Sequence, residues 1–261
     1  MGILNVTPDS FSDGGEYFDT DLAVARGQRM VDEGADFIDI GGESSRPGSD
    51  PITEEEELRR VLPVIERLAQ EVSIPLSIDT YKSNVALKAL DAGAQIVNDI
   101  SGATFDPAMA EVVKQFDACV VLMHMQGRPK TMQQEPTYDD VVEQVSTFLL
   151  EQARKMRVYG IGRIILDPGI GFGKSVEHNV VLIKELHRLV HLGYPVMVGP
   201  SRKSFIGKLL DAPVQNRLEG TAAAVTASIL QGANIVRVHD VKEMKRVAIV
   251  ADALKDKASN V

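Results

Sequence analysis

One segment of the chain runs from a short apolar stretch into a carboxylate and then into a glycine-rich turn. It reads Arg163-Ile-Ile-Leu-Asp167-Pro-Gly-Ile-Gly-Phe-Gly-Lys174. A continuous apolar run that stops at such a turn is typical of a parallel strand buried on both faces. The glycines would let a ligand approach the backbone closely. We therefore predict that Asp167 stands at the mouth of a strand, beside a ligand; a purely structural turn is the alternative.

Two nucleotide-binding motifs are excluded in this segment by their spacing. A phosphate-binding loop that ends in Gly173-Lys174-Ser175 needs a glycine at position 168, where the chain has Pro168. A dinucleotide fingerprint needs the pattern G-x-G-x-x-G, whereas the turn here has G-x-G-x-G.

The same strand-to-loop pattern recurs along the whole chain. Apolar runs that predict strands lie at 1–6, 36–40, 75–79, 95–99, 118–124, 163–167, 195–199 and 234–238, with helical spacing between them. About eight alternations with no long linker favour a single α/β domain over residues 1–261, most economically a closed (β/α)8 TIM barrel. A doubly wound open sheet would need fewer units or a switch point. In a barrel, the active site is expected at the C-terminal ends of the strands.

Local signals predict several helix boundaries. Thr53 with Glu56 has the spacing of a capping box, and Pro63 is expected to kink the helix that follows. Asp240 and Glu243 are expected to cap the last helix.

Composition excludes some classes of function. The formal charge of −9 argues against a general role on nucleic acid or on a membrane surface, because a sequence-independent grip on phosphates needs positive charge. The chain has no run of 18 apolar residues and no basic segment before an apolar one at its start. Its single cysteine, Cys119, excludes an internal disulfide and fits a reducing cytoplasm. We expect a cytoplasmic protein.

Polar residues are concentrated where the predicted strands end. This set comprises Asn5, Glu43 to Arg46, Asp79, Asn98, His124, Asp167, Ser201, Arg202, Lys203, Arg237 and His239. So many polar groups at a barrel mouth are costly unless they meet a ligand. Asp79, Asn98 and Asp167 are acceptors suited to a flat heterocycle with several N–H donors, and Lys203 and Arg237 could meet its carbonyl and its face. Asn5, Arg46, Arg237 and His239 suit a phosphorylated ligand.

Structural alternatives exist for several of these residues. Asp79 could cap the next helix, and Asn98 with Asp99 could form a turn. Arg202 and Lys203 could be a solvated surface pair. His124 is more consistent with a core or loop-bracing role than with a ligand.

The motifs also resemble a known family, the dihydropteroate synthases. The match consists of Met1-Gly-Ile-Leu-Asn-Val-Thr-Pro-Asp-Ser-Phe-Ser-Asp-Gly-Gly15, Gly41-Gly-Glu-Ser-Ser-Arg-Pro-Gly48, Ser77-Ile-Asp-Thr80, Asn98-Asp-Ile-Ser-Gly102, Leu166 to Lys174, Ser201-Arg-Lys-Ser204 and Arg237-Val-His239. These motifs occur in the family's order over nearly the whole chain. The resemblance implies condensation of 6-hydroxymethyl-7,8-dihydropterin diphosphate with p-aminobenzoate, giving 7,8-dihydropteroate and pyrophosphate.

The resemblance also implies roles for individual residues. Pterin contacts would be Asp79, Asn98, Asp167, Phe172, Lys203 and Arg237, of which Asp79, Asp167, Lys203 and Arg237 would act in catalysis. The diphosphate would meet Asn5, Arg46, Arg237 and His239, with Asn5 ordering a Mg2+ ion. Phe11, Asp13, Ser45, Arg46, Pro47 and Ser201 would belong to two loops and the p-aminobenzoate pocket. Sulfonamides would compete with p-aminobenzoate, and the enzyme would be a homodimer.

A mechanism without a protein nucleophile is consistent with these residue types. Diphosphate leaves readily once Mg2+ and cationic side chains neutralise its charge. The carbon that it leaves can become a cation delocalised into the dihydropterin, and buried carboxylates would stabilise that charge. One departure from the family pattern is Ser45, since the second loop usually reads Ser-Thr where this chain has Ser44-Ser45.

Three rival functions are less consistent with the sequence. A pterin-dependent methyltransferase would not need the groups around Ser201 and His239 that suit a diphosphate. A non-catalytic pterin-binding paralogue would be suggested by loss of Asn5, Lys203 or Arg237, and all three are present. A phosphosugar aldolase on the same fold would need a Schiff-base lysine within a strand, and the predicted strands contain none.

Overall fold

The computed structural model describes residues 1–7 and 16–255, with backbone alone for 16–19. The strands are β1 (Gly2–Asn5), β2 (Ile38–Gly41), β3 (Leu76–Asp79), β4 (Ile96–Asp99), β5 (Cys119–Met123), β6 (Ile164–Asp167), β7 (Met197–Val198) and β8 (Ile235–Val236). The helices are α1 (Glu16–Asp32), α2 (Glu54–Glu71), α3 (Ser83–Asp91), α4 (Met109–Gln115), α5 (Val141–Val158), α6 (Val176–Lys184), α7 (Leu186–Val190), α8 (Ser204–Leu210), α9 (Leu218–Leu230) and α10 (Val241–Leu254). A short 3-10 helix covers Val214–Asn216.

The eight strands form a closed parallel barrel. Strands β1 to β6 pair in sequence order, and β7 pairs with β8. Two isolated parallel bridges complete the ring: Leu166 with Val196 joins β6 to β7, and Gly2 with Val238 joins β8 to β1. The main-chain bond from Ile3 N–H to the Val238 carbonyl, 2.9 Å long, lies at the second junction. The expected (β/α)8 TIM barrel is confirmed, although β7 and β8 are shorter than their apolar runs suggest.

Successive side chains of each strand point to opposite faces, and two separate apolar cores result. Residues such as Ile38, Ile40, Val97 and Leu166 pack outward in the large core under the helices. A smaller cluster of Met1, Ile96, Val121, Ile165 and Met197 is buried separately. Ile96 and Ile165 lie two residues before Asn98 and Asp167, on the same side of their strands. The barrel interior is therefore apolar near the N-terminal ends of the strands and polar at their C-terminal ends.

Two of the predicted caps need correction. The Thr53 hydroxyl does accept the Glu56 N–H at the start of α2, but the Glu56 carboxylate pairs with Arg59 and Arg60 instead of completing a capping box. Asp240 precedes α10 without capping it. Its carboxylate instead receives two hydrogen bonds from the Arg202 guanidinium, at 2.5 and 2.8 Å. The Asp240 carboxylate, which the local sequence predicts as a helix cap, thus binds a cation 38 positions away, Arg202.

Among residues 1–7 and 16–255, no helix has the length and apolar character needed to span a membrane.

Candidate active site

A polar cavity opens at the mouth of the barrel. Its lining includes all six residues predicted to contact a pterin, together with apolar and glycine positions: Asp79, Asn98, Ile100, Met123, Asp167, Gly169, Ile170, Phe172, Gly199, Lys203 and Arg237. Asp79, Asn98 and Asp167 lie at the C-terminal ends of β3, β4 and β6. Lys203 and Arg237 follow β7 and β8. Residues more than 150 positions apart therefore meet because the parallel strands end at one rim.

The turn after β6 is built around three glycines with left-handed backbone angles. Gly169, Gly171 and Gly173 have φ of 68°, 82° and 60°. A Cβ on Gly169 would fall 1.9 Å from the His124 carbonyl oxygen, and one on Gly173 would fall 2.5 Å from that of Gln126. Gly169 and Gly173 are thus required by the close approach of this turn to the chain after β5, and Gly171 by its approach to Lys203. The same turn also fixes Asp167, so the structural requirement for these glycines is compatible with the predicted functional one.

Asp167 and Lys174 are fixed at the two ends of this turn. The Asp167 carboxylate accepts the Gly169 N–H at 2.7 Å. The buried Lys174 ammonium donates to the carbonyls of Phe172 and His124 at 2.9 and 3.2 Å and lies 3.1 Å from His124 Nδ1. Burial, followed by the Lys174 charge, lowers the pKa of His124 to about 3, so its ring is neutral. The loop-bracing role considered for His124 agrees with these contacts.

The charged groups of the cavity balance one another. The Arg237 guanidinium lies between two carboxylates, with Nε 2.6 Å from Asp39 Oδ2 and one terminal nitrogen 2.6 Å from Asp79 Oδ2. Burial alone would lower the pKa of Arg237, but the two carboxylates outweigh it and raise that pKa. Burial raises the pKa of Asp79. The positive charge of Arg237 opposes this shift, whereas the negative charge of Asp39 adds to it.

Lys203 and Asp167 are two further charged groups of the cavity, and the charge of each affects the pKa of the other. Burial raises the pKa of Asp167 to about 6, although the nearby cations Lys203 and Arg237 oppose this shift. Burial and the charge of Arg237 lower the pKa of Lys203 to about 8. The Lys203 ammonium also lies 3.9 Å from the centre of the Phe172 ring, a cation–π contact. Lys203 is therefore not the solvated surface lysine that its sequence neighbours allow.

His239 lies beside this cavity and is joined to the turn after β7. Its main-chain N–H donates to the Ser201 hydroxyl at 3.2 Å, and its Nδ1 lies 3.0 Å from the same oxygen. Burial and the charges of Arg237 and Lys203 lower the pKa of His239 to about 4. The ring is therefore neutral near pH 7 before any anion binds. Positive charge at this position therefore resides on arginine and lysine, and His239 is a neutral hydrogen-bonding group.

Of the other predicted site residues, those that the structure describes lie outside the lining of this cavity. Asn5 ends β1 and is half-buried; Ser45 is half-buried and Arg46 and Pro47 are exposed in the loop after β2. Arg46 is close enough for its charge to lower the pKa of Lys203. Phe11 and Asp13 lie outside the described residues.

Two buried groups at the site were missed by the sequence reasoning. Asp39 lies in β2, where an isolated carboxylate interrupts the apolar residues Phe37, Ile38 and Ile40, and that interruption was the available signal. Lys174 ends the glycine-rich segment, where its burial could not be inferred from composition.

Known proteins resemble this chain over nearly its full length. Residues 1–239 match the pterin-binding enzyme family. A dihydropteroate synthase of Synechocystis is 51% identical over 257 residues, which cover 97% of this chain and 89% of the relative. The crystal structure of a dihydropteroate synthase from Clostridium difficile, determined in the presence of pteroic acid, is 47% identical with a TM-score of 0.93 and covers 98% of this chain and 96% of that one.

A second solved structure has the same fold. It is the dihydropteroate synthase of Yersinia pestis in a complex with a sulfonamide drug, 46% identical with a TM-score of 0.92, covering 97% of this chain and 93% of that one. The family match, the level of identity and the near-complete coverage agree with the motifs and the barrel. The chain belongs to the dihydropteroate synthase family of pterin-binding enzymes.

Proposed function

We propose that the chain is a dihydropteroate synthase, which joins 6-hydroxymethyl-7,8-dihydropterin diphosphate to p-aminobenzoate in folate biosynthesis. The observation that carries this proposal is the convergence of Asp79, Asn98, Asp167, Phe172, Lys203 and Arg237 on one cavity. The family membership of the whole chain supports it independently.

The cavity offers a heterocycle an ordered set of partners. Asp79, Asn98 and Asp167 would accept hydrogen bonds from the N–H and amino groups of the pterin. The Lys203 ammonium would donate to its carbonyl or to a ring nitrogen. The Arg237 guanidinium is planar and held on two sides, so it can stack on the ring face.

In the reaction, the bond between the exocyclic carbon of the pterin and the diphosphate oxygen breaks. The electron pair leaves with the diphosphate, and the carbon is left as a cation delocalised into the dihydropterin. The amine nitrogen of p-aminobenzoate then forms the new C–N bond and loses a proton. Asp167 is buried and Asp79 is half-buried, and carboxylates fixed near a developing cation stabilise it electrostatically. This sequence requires no covalent intermediate on the protein.

Mg2+ is the ion that fits the expected diphosphate group. Within the described residues, no cluster of three or more His, Cys, Asp or Glu side chains could hold a metal by itself. Mg2+ in phosphate sites is usually held by one or two protein oxygens, the phosphates and water. Asn5 is half-buried at the end of β1, and its amide has no hydrogen-bond partner among the described residues, so its oxygen could serve. Bound Mg2+ would neutralise charge on the leaving diphosphate.

p-Aminobenzoate would bind beside the loop that carries Ser45, Arg46 and Pro47, next to Ser201. Phe11 and Asp13 are proposed to complete this pocket. Sulfonamides present a similar aniline and are proposed to compete for the same pocket, as the complex of the Yersinia relative suggests.

The two rival pterin functions lack a supporting observation. A methyltransferase would leave the ordered contacts between Ser201 and His239 without a use. Loss of Asn5, Lys203 or Arg237 would favour a non-catalytic paralogue, and the chain keeps all three.

We further propose a cytoplasmic homodimer. Cys119 is unpaired, which suits a reducing compartment. Exposed apolar side chains on α8, α9 and α10 would be covered by a second copy: Leu209, Leu210, Leu230, Ile249, Val250 and Leu254.

The decisive experiment measures pyrophosphate release by the purified protein with Mg2+. Release should require both p-aminobenzoate and the pterin diphosphate, and 7,8-dihydropteroate should form in equal amount. A sulfonamide should inhibit competitively against p-aminobenzoate. Release that is independent of p-aminobenzoate, or no release at all, would contradict the proposal.

A further inference from the structure

Asp39 is a buried carboxylate in β2 that touches two cavity residues without lining the cavity itself. It is 0% exposed. Its Oδ2 accepts hydrogen bonds from Arg237 Nε at 2.6 Å and from Asn98 Nδ2 at 2.9 Å. Within the described residues, its Oδ1 has no partner. A buried charge in such a place is costly and is retained only where its contacts compensate for it.

The contact with Asn98 fixes which end of the amide is available to a ligand. An ionised carboxylate only accepts hydrogen bonds, so the atom of Asn98 that faces Asp39 must be the amide nitrogen. A flipped amide would bring two oxygens to 2.9 Å from each other. Asn98 Oδ1 has no hydrogen-bond partner among the described residues, and Asn98 lines the cavity. Asp39 therefore makes Asn98 an acceptor for an N–H of the bound ring.

The contact with Arg237 fixes the plane of the guanidinium. Of its two carboxylate partners, Asp79 lines the cavity and Asp39 does not. A ligand that engages Asp79 competes with Arg237 for that carboxylate. Asp39 does not line the cavity and so does not contact the ligand. It therefore continues to accept the hydrogen bond from Arg237 Nε while the ligand binds. The guanidinium then keeps the orientation needed to stack on a flat ring.

We propose that Asp39 is a positioning residue for the pterin: through one carboxylate oxygen it sets both the plane of Arg237 and the amide orientation of Asn98. The inference rests on the proposed function and adds a residue to it. Asp39 is expected to touch neither the pterin nor the reacting atoms. Its removal should therefore weaken pterin use selectively and leave p-aminobenzoate use nearly unchanged.

The test compares Asp39→Leu, which removes the acceptor, with Asp39→Asn, which keeps an acceptor oxygen of the same shape without the charge. The KM and Kd for 6-hydroxymethyl-7,8-dihydropterin diphosphate should rise about thirtyfold or more for Asp39→Leu and about three- to tenfold for Asp39→Asn. The KM for p-aminobenzoate should change by less than about twofold in both.

Ser77→Ala is the matched control. Ser77 is the register partner of Asp39 on β3, is also 0% exposed, and its hydroxyl has no hydrogen bond among the described residues. This variant removes a buried polar atom at the same level of the barrel without touching Arg237 or Asn98. Both KM values should match the wild type.

The outcomes separate this inference from the proposed function. If the wild type neither binds nor turns over the pterin diphosphate, the proposed function fails. If the wild type is active and Asp39→Leu retains its pterin Kd within about threefold, the positioning role is wrong. Equal loss toward both substrates would also overturn it, because a merely structural role predicts that pattern.

A second measurement does not depend on the folding of an Asp39 variant. The Nε–H of Arg237 should exchange slowly with solvent in 15N NMR of the wild type. It should stay protected in Asp79→Asn, because Asp39 is the only acceptor of that proton in the part of the chain that the structure describes. Rapid exchange of this proton in the wild type would contradict the inference.

Discussion

At the scale of single residues, the site depends on backbone placement as much as on side-chain chemistry. Gly169 and Gly171 adopt left-handed φ angles, and the Gly171 backbone passes so close to Lys203 that an added Cβ would lie 2.9 Å from the lysine Cδ. Asp167 and Lys203 both line one small cavity beside this turn. Burial then perturbs the pKa values of both groups in the direction that favours their neutral forms. Groups held in that way interact strongly with a charge that develops between them.

We expect Asp167→Asn to lower kcat/KM for the pterin diphosphate while the fold persists. The asparagine oxygen can still accept the Gly169 N–H, so the turn should be retained. The lost carboxylate should cost on the order of 2–4 kcal/mol of transition-state stabilisation, a decrease of about 30- to 1,000-fold. Steady-state kinetics together with circular dichroism would measure both effects.

Asp99→Asn is the control for that experiment. Asp99 is equally buried at the end of β4, and burial raises its pKa to about 6, but it does not line the cavity. Its Oδ1 accepts from Ser101, and an asparagine oxygen can do the same. Activity of Asp99→Asn should equal that of the wild type. Equal losses in the two variants would show that Asp167 acts only through general stability.

The strand-end residues could be predicted from sequence because each follows an apolar run, and a parallel barrel brings those ends together. Asp79, Asn98, Asp167, Lys203 and Arg237 were found in that way. The interruption of its apolar run marks Asp39 as unusual, but its role could not be predicted, because it precedes the strand end and contacts two residues, Asn98 and Arg237, that lie 59 and 198 positions away. Partners so distant along the chain leave no local pattern.

At the scale of elements, the loop after β2 is fixed at its base and exposed at its tip. Glu43 accepts hydrogen bonds from the Lys82 ammonium at 2.6 Å, from the Tyr81 hydroxyl at 2.7 Å and from the Ile52 N–H at 3.0 Å. Lys82 also donates to Glu57 at 2.6 Å and to the Ile52 carbonyl at 2.9 Å. Both ends of the loop are thereby tied to the start of α3, while the exposed Arg46 and Pro47 lie beyond them.

We expect Lys82→Met to destabilise the protein by about 3–5 kcal/mol at pH 8, because it leaves two carboxylates near each other without their cation. Glu57 is 1% exposed, and burial already raises its pKa against the opposing effect of Lys82. Without Lys82 that pKa should rise further. A carboxyl whose pKa is higher in the folded state stabilises the fold below its unfolded value of 4.5 and loses that contribution as pH rises through the folded value. The deficit should therefore be smaller at pH 5 than at pH 8, measured by urea unfolding.

Lys130→Met is the matched control for Lys82→Met. Lys130 pairs with Asp50, but the two side chains are 65% and 75% exposed. An ion pair so open to water contributes little to stability. This variant should unfold like the wild type at both pH values. A deficit in Lys82→Met that is the same at pH 5 and pH 8 would exclude Glu57 as its cause.

At the scale of the whole molecule, the order of the elements could be read from the sequence more securely than their ends. The repeated apolar runs gave eight strands in the correct order, since burial on both faces requires such runs. The last two runs contain five residues each, yet β7 and β8 are two residues long and join their neighbours through isolated bridges. Strand length depends on how well the neighbouring strand continues, which is a property of the closed barrel and not of the run itself. The salt bridge that diverts Asp240 from α10 is non-local in the same sense.

The apolar surface of α8, α9 and α10 leads to a prediction about assembly. Val250 and Leu254 lie four residues apart on α10, and so on one face of that helix, and are 58% and 67% exposed. Ile249 on the same helix and Leu230 on α9, which packs against α10, are also exposed, and we expect a second copy to bury these side chains. Light scattering should give the wild type about twice the chain mass of 28.4 kDa. The double variant Val250→Glu with Leu254→Glu should have the mass of one chain, because carboxylates would have to lose their water in the interface.

Val158→Glu is the control for this experiment. Val158 is 87% exposed on α5, which α6 and α9 separate from α10 around the ring. It should remain dimeric, whereas a monomeric wild type, or a double variant that stays dimeric, would remove this face as the interface.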